Sequence, residues 1–495
     1  MQARIVLVNA RAQSQSQSQF ERIQTEAALL LLALARGPSM RQPFTRGALE
    51  GQDSAKAGHG RHAILDAVRA TQRDDVETLA TGALDWLLAS SRDTAGRGLA
   101  WTTRPSDDEL NPTLYSGTAG TVLALLEGRG HFLDDRYGDA ALRGARSIAD
   151  AVEGWELSSL YFGLTGMAVA LRAVHDVLGD PAAGAAADRA LGRVRSQFDG
   201  TRWGPQFELL GGNAGIALGA LATGDMELAL LAVTPYLRTA ETTSTGVHWE
   251  TRIGRPARQH HISHGTLGIV YALASVGRAA NRPDLIELAA AGAADVVARN
   301  EAGPDGFLVP HSDPQDQPER IERYNYGWCQ GPTGDAQVLR LLHDVLGSST
   351  WSALADQCWY TVTRSGLPQR LRPGFWDNSG RCCGTAGVLA LACDRHVEEG
   401  DGLPFANVLV ADLMSRATVD ADGARWSNVE HRTTPSALEP LTGWAMGNAG
   451  IIRELLRFVR AGTGRDPAYA ITWPDHLAAR PSLGTDRSPG GPPQS

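Results

Sequence analysis

Three of the five cysteines in this 495-residue chain stand just ahead of a glycine: Cys329 two residues before Gly331, Cys382 and Cys383 two and one before Gly384. His264 stands one residue before Gly265, and Glu208 four before Gly212. Cysteine thiolates are the preferred ligands of zinc, and three protein ligands leave the fourth tetrahedral position open for catalysis. Zinc (Zn2+) is therefore the expected cofactor, held by Cys329, Cys382 and Cys383, with His264 and Glu208 at the same level. The common placement carries the inference. A lone buried cysteine is a small hydrophobe, and that reading is kept for Cys358 and Cys393, which lack the placement. Adjacent Cys382 and Cys383 could instead close a vicinal disulfide. Glu208 reads equally as an acid of the site or as a carboxylate at a helix start. His260 and His261 read as loop residues or as groups behind the site, and Trp328 as packing that dries it.

The elements that must position these groups come from a repeat. Seven times the chain presents Gly-x-x-Gly followed by an apolar run: at Gly117, Gly163, Gly212, Gly265, Gly331, Gly384 and Gly447. Successive first glycines are tens of residues apart, as a helical-hairpin repeat requires. Between them lie second helical segments with apolar residues three and four apart, such as Asp139 to Val152 and Ala183 to Phe198. Strand signals are sparse. The motif-bearing segments are apolar on nearly every side, as in helices buried all round. Glycines at their first turn allow close backbone approach and unusual dihedrals in the entering loop. Seven copies with apolar inner helices favour ring closure over an open stack, which would leave one inner face wet. The expected fold is all-α: an α/α toroid of seven inner and seven outer helices over residues 62–462. If the repeats are equivalent, the cysteines, His264 and Glu208 gather at the N-termini of inner helices. Those termini carry partial positive charge and free N–H groups that favour anions.

Composition bounds the rest. With 43% apolar and 20% charged residues, the chain matches a soluble globular enzyme. A net charge of −9 argues against a nucleic-acid partner. No apolar run reaches bilayer-spanning length, and the apolar run Ala27 to Ala35 lacks the compact basic flank of a signal peptide. Cytoplasmic location and reduced thiols are expected. Residues 1–61 read as a poorly ordered extension, of which residues 1–39 could precede a true start at Met40. Residues 463–495 read as a Pro/Gly-rich tail, its last fifteen or so residues disordered, with Trp473 and Pro474 able to tie part of it to the barrel.

At these motifs the chain resembles the lanthionine synthetase C family. Gly-Trp-Cys-Gln-Gly at Gly327 to Gly331 and Arg-Cys-Cys-Gly at Arg381 to Gly384 are similar to its zinc motifs, and Ser-His-Gly at His264 to its acid/base histidine. The resemblance implies a zinc-dependent cyclase that adds a peptide Cys thiol to dehydroalanine or dehydrobutyrine, forming (methyl)lanthionine thioether rings. Zinc would lower the pKa of the substrate thiol, and His264 would move the proton. Two departures stand out. Cys383 takes the place of the family's commoner His, as in a three-Cys subgroup, and Glu208 the place of an Asp, one methylene shorter. The resemblance implies a dehydrated precursor peptide and a separate dehydratase as partners, since some sixty residues before the barrel leave no room for a fused one. Peripheral association with a membrane modification complex stays open. The alternatives are addition of glutathione or another thiol to dehydrated residues, and a binding toroid in which zinc is structural. A toroidal glycosidase would need a carboxylate pair rather than a cysteine trio.

Overall fold

Each Gly-x-x-Gly motif opens a helix, with its first glycine as the N-cap. The seven are Thr118–Phe132, Leu164–Leu178, Asn213–Ala222, Thr266–Ala279, Pro332–Leu346, Thr385–Glu399 and Asn448–Thr463. The computed structural model describes residues 73–319, 321–369, 378–427 and 438–476. The expectations for residues 1–61, a start at Met40 and the final residues of the tail lie outside the described residues. Consecutive motif helices pack side by side, and Asn448–Thr463 also packs on Thr118–Phe132, so the row closes into a ring.

Outside this ring, Asp135–Ala151, Pro181–Ser196, Met226–Val233, Pro283–Val297, Ser349–Arg364 and Leu403–Arg416 each pack on the inner helix before them. A helix over residues 73–89 takes the seventh outer position. Its Leu84 lies against Gly128 and its Glu77 faces His131 on the first inner helix, while Arg73 lies beside Gly462 on the last. The chain is the expected all-α toroid of seven inner and seven outer helices, with one outer helix supplied from the N-terminal side.

The two ends of the barrel differ in what the sequence spends on them. Inner-to-outer turns are short and self-signalled. Gly179, at φ 72°, ends one inner helix, and Asp180 caps the next helix by accepting from Ala183 N at 2.7 Å. Asp134 and Asp225 cap their helices in the same way. The outer-to-inner connections are long. Among the described residues they hold four two-stranded antiparallel ribbons, Arg92–Asp93 with Leu99–Ala100, Glu241–Thr242 with Val247–His248, Arg258–Gln259 with Ser312–Asp313, and Thr418–Asp420 with Gly423–Arg425.

A belt of backbone hydrogen bonds holds the long connections at one level. Tyr115, Tyr161, Leu210, Ser263, Cys329, Cys382 and Ala445 each stand two residues before a first glycine. Tyr115 N donates to Tyr161 O (2.9 Å), Leu210 N to Ser263 O (3.2 Å) and Ser263 N to Cys329 O (3.1 Å). Cys329 N then donates to Cys382 O (3.0 Å), Cys382 N to Ala445 O (2.8 Å), and Ala445 N to Tyr115 O (3.0 Å). Six of the seven junctions between repeats are thus gripped at the residue that could carry chemistry. The second glycine makes this possible. A Cβ at Gly334 would stand 2.0 Å from Trp328 O, and one at Gly387 2.4 Å from Arg381 O. The first glycines are extended, with φ −162° at Gly331 and −124° at Gly384. Close approach, and not the unusual dihedrals expected, is what demands glycine here.

The barrel interior departs from the expected apolar pattern in the last inner helix, where Arg453, Glu454, Arg457 and Arg460 are all buried. Each of these arginines meets a carboxylate, as buried charges must. Arg457 pairs with Asp394 at 2.5 Å, Arg340 reaches the same carboxylate at 2.6 Å, and Arg460 pairs with Glu127. Burial alone would raise the Asp394 carboxyl, but Arg457 and Arg340 more than reverse this and hold it well below the ordinary range. The segment after the last inner helix returns into the barrel, and its Trp473 and Asp475 are buried.

Candidate metal centre

Two of the long connections turn by the same local device. Asn325 and Asn378 each stand six residues before a first glycine, and each accepts through Oδ1 from the backbone N two residues on, at 2.8 and 2.9 Å. This Asx turn sends the chain into the belt, where Cys329 and Cys382 are bonded neighbours. The sulfurs of Cys329 and Cys383 are 3.0 Å apart, and those of Cys329, Cys382 and Cys383 all lie within 4.8 Å of one another. All five cysteines are free thiols, so no vicinal disulfide forms. Cys358 and Cys393 are buried on helices, outside the trio.

The trio is dry, with 3%, 1% and 6% of Cys329, Cys382 and Cys383 exposed. Burial pushes the Cys329 thiol well above its ordinary range, and hydrogen bonding to its two neighbours, with burial, does the same to Cys383. Cys382 goes the other way, lowered by hydrogen bonds from Cys329 and Cys383 and by Tyr115. Without a counter-charge, the three sulfurs cannot all ionise together. A divalent cation among them removes the conflict, because a coordinating thiol is deprotonated outright. The donor set fits one thiophilic metal ion.

Around the trio stand three groups of different visibility in the sequence. Glu208 is buried and His264 is 24% exposed, with Glu208 Oε1 3.2 Å from His264 Nδ1. The contact is a close approach rather than an aligned hydrogen bond. The other carboxylate oxygen accepts from Leu210 N and Gly211 N, which fixes the side chain. Glu208 therefore caps its own turn and faces the histidine. Tyr115 was missed. Its hydroxyl donates to Cys382 Sγ at 3.7 Å, and burial, with the cysteines beside it, keeps the phenol neutral. The signal was present, since Tyr115 holds the position before Gly117 that Cys329 and Cys382 hold in their repeats.

Asp335 was missed as well. It sits in the first turn after Gly334 and receives His261 Nδ1 at 2.8 and 3.0 Å, both side chains fully buried. This pair ties the connection bearing His264 to the helix that follows Cys329. His260, 2% exposed, and His311, 3% exposed, are buried too. Burial, with the neighbouring His261 adding to it, lowers each to about 3. The native protein thus keeps both neutral where an unfolded chain, with imidazoles near 6.5, protonates them. Between those values the unfolded state binds more protons, so stability falls as pH drops below about 6.5 and is unaffected by these groups above it. The expected loss is about 1.4 kcal/mol per pH unit for each histidine. Urea unfolding at pH 7.5 and 5.5 measures it, with His260→Gln and His311→Gln flattening the dependence. A wild-type profile flat across that range would contradict the assignment.

Comparison with known proteins follows this geometry. A family described as "Lanthionine synthetase C-like protein" matches residues 108–318 and 315–410. Among solved structures, nisin cyclase superposes with a TM-score of 0.55 at 15% identity, covering 74% of this chain and 91% of that one. An unsaturated glucuronyl hydrolase from Bacillus sp. GL1 gives 0.43 at 14% identity over 81% of this chain and 99% of that one. An α-1,6-mannanase of Salegentibacter sp. HEL1_6 gives 0.45 at 11% identity over 78% and 99%. No curated protein matches. Among the described residues, no helix is long and apolar enough to cross a membrane. With more than half of its length matched, and the cysteine trio gathered where the repeats meet, the chain belongs to the lanthionine synthetase C-like family.

Proposed function

We propose that this protein is a zinc-dependent lanthipeptide cyclase, joining a cysteine thiol of a peptide to dehydroalanine or dehydrobutyrine in the same peptide. The observation that carries this reading is the convergence of three cysteine sulfurs from two consecutive repeats within 4.8 Å. Cys329, Cys382 and Cys383 would hold the metal. Zinc, when bound, supplies a Lewis acid that ionises a thiol near neutral pH. The addition forms one S–Cβ bond while the alkene electron pair moves to Cα, which takes a proton; the thiol proton leaves to a base. His264 serves these transfers. With the Glu208 carboxylate at Nδ1, Nε2 is the atom left to accept or deliver the proton. Tyr115 donates toward Cys382, and the burial of the trio keeps bulk water from competing.

On this reading the partners are a dehydrated precursor peptide, which the name of nisin cyclase also suggests, and the dehydratase that prepares it. The site of action is the cytoplasm, in company with a modification complex. Ring closure leaves the peptide mass unchanged, so the test counts free thiols. A peptide with one cysteine and one dehydroalanine should lose its alkylatable thiol on incubation with the zinc-loaded protein. A parallel arm contains glutathione. A thiol that survives in both arms sinks the proposal, and a glutathione adduct in place of the ring moves the substrate class to free thiols.

A further inference from the structure

We propose that Asp475, on the segment that re-enters the barrel, is a positioning residue for the three-cysteine centre, acting on the residues next to Cys329 and Cys382. The inference rests on the trio holding a metal. The path of the segment is laid out by its contacts. Ala470 lies against Gly130, in the last turn of the first inner helix. Trp473 Nε1 reaches Glu127 Oε2 a turn earlier, at 3.4 Å. Asp475 then meets Arg453, in the second turn of the last inner helix. The segment climbs the inside of the barrel toward the metal end.

There Asp475 grips both ligand connections. Through its side chain it accepts from Arg381 Nη2 at 3.0 Å, and Arg381 is peptide-bonded to Cys382. The same carboxylate takes Arg453 at 2.8 and 3.1 Å, and Glu454 holds Arg381 Nε at 3.0 Å. The group is neutral as a whole, with two arginines against two carboxylates, all four nearly or fully buried. Through its backbone oxygen Asp475 accepts from Gln337 Nε2, whose Oε1 accepts from Trp328 Nε1 at 3.0 Å; Trp328 precedes Cys329. Above this lies a second contact, the Arg381 guanidinium 5.1 Å from the Trp328 ring. One residue thus braces the neighbours of two ligands that come from different repeats. Partners hydrogen-bonded to a metal's ligands orient them, and their removal typically costs about 10- to 100-fold in metal affinity; Asp475 acts one contact further back, so the low end of that range is the expected effect.

The test uses the full-length protein and cobalt as the probe, read by its thiolate charge-transfer absorption and by competition with a chelator. Asp475→Asn and Asp475→Ala should bind cobalt about tenfold more weakly, with an altered spectrum. Gln337→Met cuts the second arm without stranding a charge, and should act in the same direction if Asp475→Ala fails to fold. Asp295→Asn breaks a pair with Arg299, its carboxylate also buried, that touches neither Arg381, Gln337 nor the returning segment. It should lower the melting temperature and leave cobalt affinity and spectrum as in wild type. Wild-type affinity and spectrum in both Asp475→Asn and Gln337→Met overturn the proposal, as does an equal loss in Asp295→Asn. A wild-type protein that takes up no cobalt removes the metal reading itself, and this inference with it.

Discussion

Cys329→Ala is expected to leave the protein folded, without stoichiometric zinc, and slower in ring formation by on the order of 10³-fold. The argument begins with the donor set. Three sulfurs within 4.8 Å can supply three of four tetrahedral positions, and two remaining sulfurs are too few for tight binding at a site that must also admit a guest. Loss of the metal removes the means of ionising the substrate thiol. That term amounts to several kcal/mol of barrier, or about three powers of ten. Folding should survive, because the Cys329 backbone bonds to Ser263 and Cys382 do not involve the sulfur. Cys358→Ala is the matched control. It also deletes a buried sulfur, from the outer helix Ser349–Arg364, and should cost stability while leaving zinc and rate in place. Metal analysis and the free-thiol assay report both quantities. Retained zinc with undiminished ring formation in Cys329→Ala would falsify the cyclase reading.

The second large effect is expected at His264. His264→Asn should keep zinc and fold and lose about 10²- to 10⁴-fold in rate, the usual contribution of a positioned proton-transfer group. Zinc is kept because the metal donors are all sulfur. Glu208→Gln should cost less, about tenfold, since Glu208 acts on the substrate only through the imidazole it faces at 3.2 Å. The ordering is the content of the prediction. If Glu208→Gln proves slower than His264→Asn, the carboxylate is itself the proton donor and the roles exchange. Near wild-type rates in His264→Asn would leave the site without its acid/base group.

Much of this is legible in the sequence. Seven glycine pairs in register announce seven equivalent helices, because a glycine is needed wherever a carbonyl of the entering loop lies so close to a helix's first turn that a Cβ would meet it at about two ångströms, as a Cβ at Gly334 would meet Trp328 O. A pattern imposed by steric exclusion leaves its mark residue by residue. The same register put Cys329, Cys382, Cys383 and His264 at one end of the barrel. Tyr115 obeyed it too, but a tyrosine is common in cores and drew no notice.

What the sequence by itself determined was therefore whatever is set by short-range geometry: the helices, their caps, the repeat and the level of the candidate ligands. What only the tertiary structure decided was partnership across the barrel. Nothing local marks Asp335 as the mate of His261, or Asp475 as the brace between Arg381 and Arg453. Buried charges carry no periodicity of their own. An arginine on Asn448–Thr463 looks like a solvent-facing residue until a carboxylate from another turn of the ring, or from the returning tail, is brought against it. Its burial is tolerable only because that partner arrives, and the arrival depends on closure of the whole ring.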